Sequence, residues 1–306
     1  MKISKFLDYK DEEKMIFSLF LFLSVIPIRT VLFSSDIVIV DYMEQSKSFS
    51  QQGAAAFGDY LFQFTAEMIC DIYDLKNKKH IGKMVGDSSP IKHCDTVCFG
   101  IDKYDSDDPF PVIYISGALI GLDEKESYIW VYRILNDNNV WSLNLVQTIV
   151  TPITNEIGCC PDALISKKNG YLWIVGWDYA IPYNQENGVG ARLKLTKFGI
   201  PSLQEELVSL CIEDSISRLI VDNAHAIQQG MCIDDDSIFV PYGDSVLGYQ
   251  GIDVIDINKG KVVKNIDLNN TRVSEPEAVF FYQGEIFIAD QATTICLLYT
   301  SDAADD

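Results

Sequence analysis

The chain lacks the short signatures that mark many enzyme classes. It has no Gly-x-Ser-x-Gly elbow, no phosphate-binding glycine loop and no His-Glu-x-x-His helix, which excludes the familiar hydrolase, nucleotide-triphosphatase and zinc-protease patterns. It is also short of cations: 24 Lys and Arg stand against 44 Asp and Glu, for a net charge of -20, or -17 without Asp302, Asp305 and Asp306. Such a surface repels phosphate backbones, so a nucleic-acid partner is not expected, whereas divalent cations, cationic ligands and simple solubility are all compatible with it. Eight cysteines are present, seven without Cys296, and none has the C-x-x-C spacing of a zinc or redox site. Cys94 with Cys98 and the vicinal pair Cys159 and Cys160 come nearest, while Cys70, Cys98 and Cys232 sit in apolar strand patterns. Buried thiols are expected, not a disulfide framework.

A membrane span is missing as well. Residues 16–28 are a 13-residue apolar run behind Lys2, Lys5, Lys10 and Lys14, about the length of a signal-peptide core and too short to cross a bilayer comfortably. Residues 1–35 therefore read as a signal peptide or an N-terminal anchor, with cleavage near Ser34 or Ser35, although Asp11, Glu12 and Glu13 dilute the positive region. No cysteine follows the run to carry a lipid. Export to the periplasm or cell surface is expected, with no stable membrane insertion after processing.

What the chain does have is a repeat. A polar residue, one or two small or apolar residues, an apolar stretch, a polar turn and a second apolar strand recur five times, opening at Gln52, Asp95, Asp162, Gln229 and Glu277. The spacings are 43, 67, 67 and 48 residues, the range of one four-stranded propeller blade with variable loops. Turns such as Gly58-Asp59, Asn169-Gly170 and Gln283-Gly284 separate alternating strands, and third and fourth strands follow in several copies. The fold expected is all-β, a propeller of four-stranded antiparallel blades over residues 36–295. Because an open fan would expose sheet edges, Ile37 to Val40 are placed to supply the outer strand of the last blade. Five blades are favoured, and six would need roughly fifty residues more. Residues 178–190 read as a projecting loop and residues 203–222 as an irregular connection. Residues 296–306 are set apart: from Cys296 to Asp305 they resemble the translation of a sequencing-library adapter, which predicts a truncated closing blade.

The first strand of each propeller blade lines the central channel, so the five leading residues are expected at one end of it. Gln52, Asp95, Asp162, Gln229 and Glu277 would make an oxygen-rich cup with His93, His225 and Glu275 as its rim. Calcium takes oxygen ligands of this kind, with Asp95, Asp162 and Glu277 as the metal-binding set; the alternative is that these side chains solvate a water-filled channel. Trp177 and Tyr179, beside Tyr183, form a second candidate surface able to stack on a glycan or peptide, while Trp173 within its strand is expected in the core. The partner expected is a small molecule, a glycan or a peptide.

Three phrases carry a family resemblance: Phe49-Ser50-Gln51-Gln52-Gly53; Gln228-Gln229-Gly230 with Tyr249-Gln250-Gly251-Ile252-Asp253-Val254-Ile255-Asp256; and Glu275-Pro276-Glu277-Ala278-Val279-Phe280. Over residues 45 to 295 the chain resembles uncharacterised β-propeller proteins exported by Bacteroidales. More distantly, the early Gln-Gly and late Glu-x-Glu resemble those of five-bladed glutaminyl cyclotransferases, and Glu-Pro-Glu resembles a phrase of lactonase-like propellers. The cyclotransferase pattern implies a Glu-Gly step opening the second blade, where this chain has Asp95-Thr96, and the lactonase pattern implies an early Glu, where it has Gln52. Binding without chemistry is the leading expectation, with a propeller hydrolase or cyclase as the alternative.

Overall fold

The computed structural model describes residues 37–44, 51–86, 93–117, 125–178, 180–291 and 294–300. The export segment, its cleavage site, Tyr179 and residues 301–306 lie outside them.

Alternation decides how the strands pack. In the strand Tyr171–Trp177, Leu172 and Ile174 enter one hydrophobic cluster, while Trp173 and Val175 enter the next. Successive side chains of a strand point to opposite faces, so a sheet that is apolar on both faces must be covered on both. Wedging blades side by side does this. Leu61 and Phe62 divide in the same way between neighbouring clusters, and each such fully buried side chain contributes about 2 kcal/mol.

Five small sheets result. Blade 1 contains β2 (Gln51–Phe57), β3 (Tyr60–Thr65), β4 (Ile69–Asp74) and β5 (Lys79–Val85). Blade 2 contains β6 (Cys94–Phe99), β7 (Ile113–Gly117), β8 (Glu126–Asp137) and β9 (Val140–Pro152). Blade 3 contains β10 (Cys159–Ser166), β11 (Tyr171–Trp177), β12 (Val189–Gly199) and β14 (Ser217–His225). A short strand, β13 (Leu207–Ser209), leaves blade 3 to pair in parallel with β9 of blade 2. Blade 4 contains β15 (Cys232–Asp234), β16 (Ser237–Asp244), β17 (Tyr249–Asp256) and β18 (Lys261–Asp267). Blade 5 contains β19 (Pro276–Tyr282), β20 (Glu285–Asp290), β21 (Thr294–Thr300) and β1 (Ile37–Glu44). The inner strands β2, β6, β10, β15 and β19 are neighbours in that order, and β19 meets β2 again. The chain is a five-bladed β-propeller.

Two expectations need correction. Residues 203–222 are not merely an irregular connection, because Ser217–His225 is the outer strand of blade 3. Nor is the closing blade truncated. Thr294–Thr300 lies between β20 and β1, and Ile295, Cys296 and Leu297 are buried in the core. The apolar residues from Ile295 onward alternate well enough to pair with Ile286–Ala289 in full register, whatever the origin of residues 296–300. The six-bladed alternative falls with this closure.

β1 covers the edge that β21 would otherwise expose, and an uncovered edge is a template for pairing with other chains. Removal of residues 37–44 is therefore expected to lower the melting temperature and produce concentration-dependent oligomers by size-exclusion chromatography. A shortened chain that stayed monomeric at unchanged stability would contradict this role.

Candidate functional site

The inner strands are irregular where the repeat begins. Pairing with the second strand of the blade slips between Gln51 and Ala54, between Cys94 and Val97, between Cys159 and Asp162, and between Pro276 and Ala278. In blade 4 the inner strand is broken, and Gln228 and Gly230 make isolated bridges ahead of β15. A bulge leaves a residue unpaired and re-aims its side chain. In blades 1, 2 and 5 the slip falls on the leading residue itself, Gln52, Asp95 and Glu277, whereas in blade 3 it falls just before Asp162, which pairs with Val175.

Gln52, Asp95, Asp162 and Glu277 are buried and Gln229 is half-buried, and they are only partly satisfied. Gln52 and Gln291 both donate to Glu277 Oε1, each at 3.1 Å, while Glu277 Oε2 is buried without a hydrogen-bond partner. Burial, with Glu275 and Asp95 adding repulsion, pushes the Glu277 carboxyl up to about 9. Gln229 donates to Glu275 Oε1 at 2.9 Å, and Glu275 is itself raised by burial and by Asp244 and Asp290. Ser116 donates to Asp162 Oδ1 at 2.8 Å. Asp95 Oδ1 has no partner. Burial raises Asp95 well above the usual carboxylate range and Asp162 adds to it; Asp162 is pushed up to about 6 by burial, although Ser116 and Thr96 oppose the shift. Two buried carboxyls this strongly coupled titrate as a pair, and holding one proton between them relieves the repulsion.

Beside this pair lies a cavity of about 240 Å³, lined by His93, Asp95, Asp162, Trp177, Gln229 and Met231 among others. His93 is half-buried, its Nδ1 has no partner, and burial lowers its pKa. Trp177 packs against Tyr183, with ring centroids 5.7 Å apart, so the aromatic surface and the polar cup meet at one cavity. Ile227 and Cys160 also line it with φ of 61° and 45°. A β-branched residue in that region is a true outlier, and strain of this kind gathers at functional sites.

Gly53 and Gly230 set the depth of the cup. A Cβ at Gly53 would lie 2.1 Å from the Asp95 carbonyl oxygen, and one at Gly230 would lie 2.8 Å from that of Glu277 and 2.9 Å from that of Asp95. The Gly230 N–H also donates to the Glu277 carbonyl at 2.8 Å. Backbone thus closes the channel just below the leading side chains.

Two expected members are placed differently. No group of three or more His, Cys, Asp or Glu among the described residues is arranged to hold a metal ion, so Asp95, Asp162 and Glu277 are not brought together as one metal-holding set. Asp162 Oδ1 accepts from Ser116, and Glu277 Oε1 accepts from Gln52 and Gln291. His225 leaves the rim. Its Nδ1 lies 2.9 Å from Asp253 Oδ1, its ring stacks on Tyr242 at 3.9 Å, and Asn265 donates to both Asp253 and Tyr242. This cluster joins blade 3 to blade 4. Trp173 is in the core, 5% exposed, as its strand pattern implied.

No protein-family model matches the chain, and no curated protein sequence matches it. Among solved structures, a glutaminyl cyclase of Myxococcus xanthus aligns with a TM-score of 0.49 at 12% identity, covering 86% of this chain and 95% of that one. A computationally designed protein, Ika8, aligns with a TM-score of 0.37 at 9% identity, covering 85% of this chain and 99% of that one. Neither likeness bears on the chemistry of the cup.

Proposed function

We propose that the protein is an extracytoplasmic ligand-binding propeller whose cup receives a small molecule or peptide end rich in N–H donors, an ammonium or a primary amide. The observation that carries this reading is a pair of buried acceptors without partners, Asp95 Oδ1 and Gln52 Oε1. Leaving a buried acceptor unmade costs about 1–3 kcal/mol, and a ligand donor recovers it. An ammonium would also offset the repulsion that adds to burial in raising Asp95 and Glu277. Trp177 supplies the aromatic wall.

One feature supports an enzymatic second reading. A Glu277 carboxyl that keeps its proton at neutral pH is suited to act as a general acid, which fits the cyclotransferase-like resemblance of the Gln52-Gly53 and Glu275-Pro276-Glu277 phrases. Calorimetry with glutamine amide, and with an N-terminal glutaminyl dipeptide, tests both readings. Binding is expected to weaken at least tenfold in Asp95→Asn and in Gln52→Leu. Ammonia release from the dipeptide, abolished by Glu277→Gln, would select the enzymatic reading. Absence of binding for both probes would remove the donor-rich ligand class.

A further inference from the structure

The inner strands all run in the same direction along the channel, so residues later in each strand reach its opposite end. There, beyond the backbone closure at Gly53 and Gly230, a second cavity of about 190 Å³ opens, floored by Ala54, Val97, Ile165, Ile233 and Phe281. It shares Ser166 and Asp235 with an adjoining cavity of about 260 Å³ that contains Tyr171, Trp173 and Lys197. The two form one recess leading from the channel axis out between blades 3 and 4.

Its polar groups differ in kind from those of the cup. Ser166 is 3% exposed, and its hydroxyl oxygen is buried with no hydrogen-bond partner. Lys167, the next residue, has no carboxylate within ion-pair distance among the described residues; its ammonium lies 5.8 Å from the Phe57 ring. Lys167 is exposed to solvent, yet the protein atoms crowded around it hold its ammonium below the usual lysine range, with the Cys98 thiol opposing. Lys197 likewise has no carboxylate within ion-pair distance among the described residues, and its ammonium lies over the Tyr171 and Trp173 rings, at 3.8 and 5.7 Å. Lys168 is the lysine here that is paired, 3.6 Å from Asp235 and 3.2 Å from Asp236. Its single charge offsets one of those two rim carboxylates, and Asp234 also belongs to the lining.

Unpaired lysines are notable in a chain of net charge -20, where carboxylates are plentiful. Two of them beside an unmatched buried hydroxyl and an apolar floor match one ligand chemistry: an anionic head on a small hydrophobic body. We propose that this recess is a second ligand site, separate from the cup, that takes a small aromatic or acyl carboxylate with its anion on Lys167 and Ser166 and its body against Phe281 and Ala54. Lys197 stands further out and draws the anion toward the recess. The proposal is independent of the cup, since the two ends of the channel are divided by backbone.

Benzoate is the probe, with benzyl alcohol as its neutral counterpart, and calorimetry or ligand-observed NMR on the full chain is the readout. Benzoate is expected to bind with an affinity that falls at least tenfold in Lys167→Met and several-fold in Ser166→Ala, and that is unchanged in Glu277→Gln. Benzyl alcohol is expected to bind at least tenfold more weakly than benzoate. Lys167 is exposed, so its substitution should leave the melting temperature in place, and Ser166→Ala changes the site without altering its charge. Failure of benzoate to bind at millimolar concentration, equal binding of the alcohol, or binding that ignores both substitutions would overturn the proposal. Failure of the cup probes alone would leave it standing.

Discussion

Replacing Glu277 by glutamine is expected to stabilise the protein, and to do so more as the pH rises. The folded-state carboxyl titrates near 9, against an ordinary value of 4.5. Between those values the folded state holds a proton that the unfolded state releases, so stability falls with rising pH throughout the interval. At pH 7 the difference between pH and the ordinary pKa, about 2.5 units, corresponds to a destabilisation on the order of 3 kcal/mol. Glutamine keeps an oxygen for Gln52 and Gln291 and has no proton to lose. The variant should therefore match the natural chain near pH 4.5, exceed it by a few kcal/mol near pH 7, and show a flatter stability profile to pH 9, read from urea denaturation across that range. The Asp95 and Asp162 pair, raised in the same direction, leaves a residual slope that Asp95→Asn should reduce. A glutamine variant less stable at every pH would show that the carboxylate is favoured in the fold. Stability sacrificed at a cavity is the usual mark of a site kept for binding or chemistry.

Gly53→Ala is expected to be among the most destabilising single methyl additions in the chain. The new carbon would meet the Asp95 carbonyl oxygen at 2.1 Å and Val97 Cγ2 at 2.7 Å. A flexible side chain can give way, but a carbonyl fixed in the neighbouring blade cannot without shifting that blade. A loss of about 4 kcal/mol or more is expected, in the range reserved for overpacking that the backbone cannot absorb. Gly199→Ala serves as the control, since nothing lies within 4 Å of its added carbon and its effect should stay within about 0.5 kcal/mol. Similar losses at both positions would mean that the channel closure is softer than its geometry implies.

The repeat made the blades legible because each copy has to present the same polar residue to the axis and the same apolar alternation to its neighbours. The site was only half legible, for physical reasons. Ser116 and Gln291 hold Asp162 and Glu277, yet they sit in or after second strands, where no positional echo marks them. A polar residue inside the apolar run Ile113-Tyr114-Ile115-Ser116 was the available signal. The bulges have no compositional trace, since an unpaired residue in a strand resembles a paired one. His225 reads as part of the rim because it stands four residues ahead of the leading residue Gln229. Once the strand Ser217–His225 is the outer edge of blade 3, its last residue must face blade 4, where Asp253 waits. The three carboxylates are not gathered as one metal-holding set for a related reason: spacing brings them to one end of a channel, but a hydroxyl on Asp162 and two amides on Glu277 hold them in separate hydrogen bonds.

The closing blade has a consequence for how the molecule comes into being. Blades 1 to 4 are each assembled from neighbouring stretches of chain, apart from the excursion of β13, whereas β1 and β21 come from opposite ends of the described sequence. The entropy of joining distant segments must be met before their pairing gives anything back. Four blades can form while the chain is still emerging, but the circle cannot. Until β21 is available, β1 has no partner in its sheet and the flank of blade 1 that faces β19 lies open. The cup, which needs Glu277 from blade 5 to meet Gln52 from blade 1, is therefore the last part to exist, and a half-made chain has all its blades but the one that completes it.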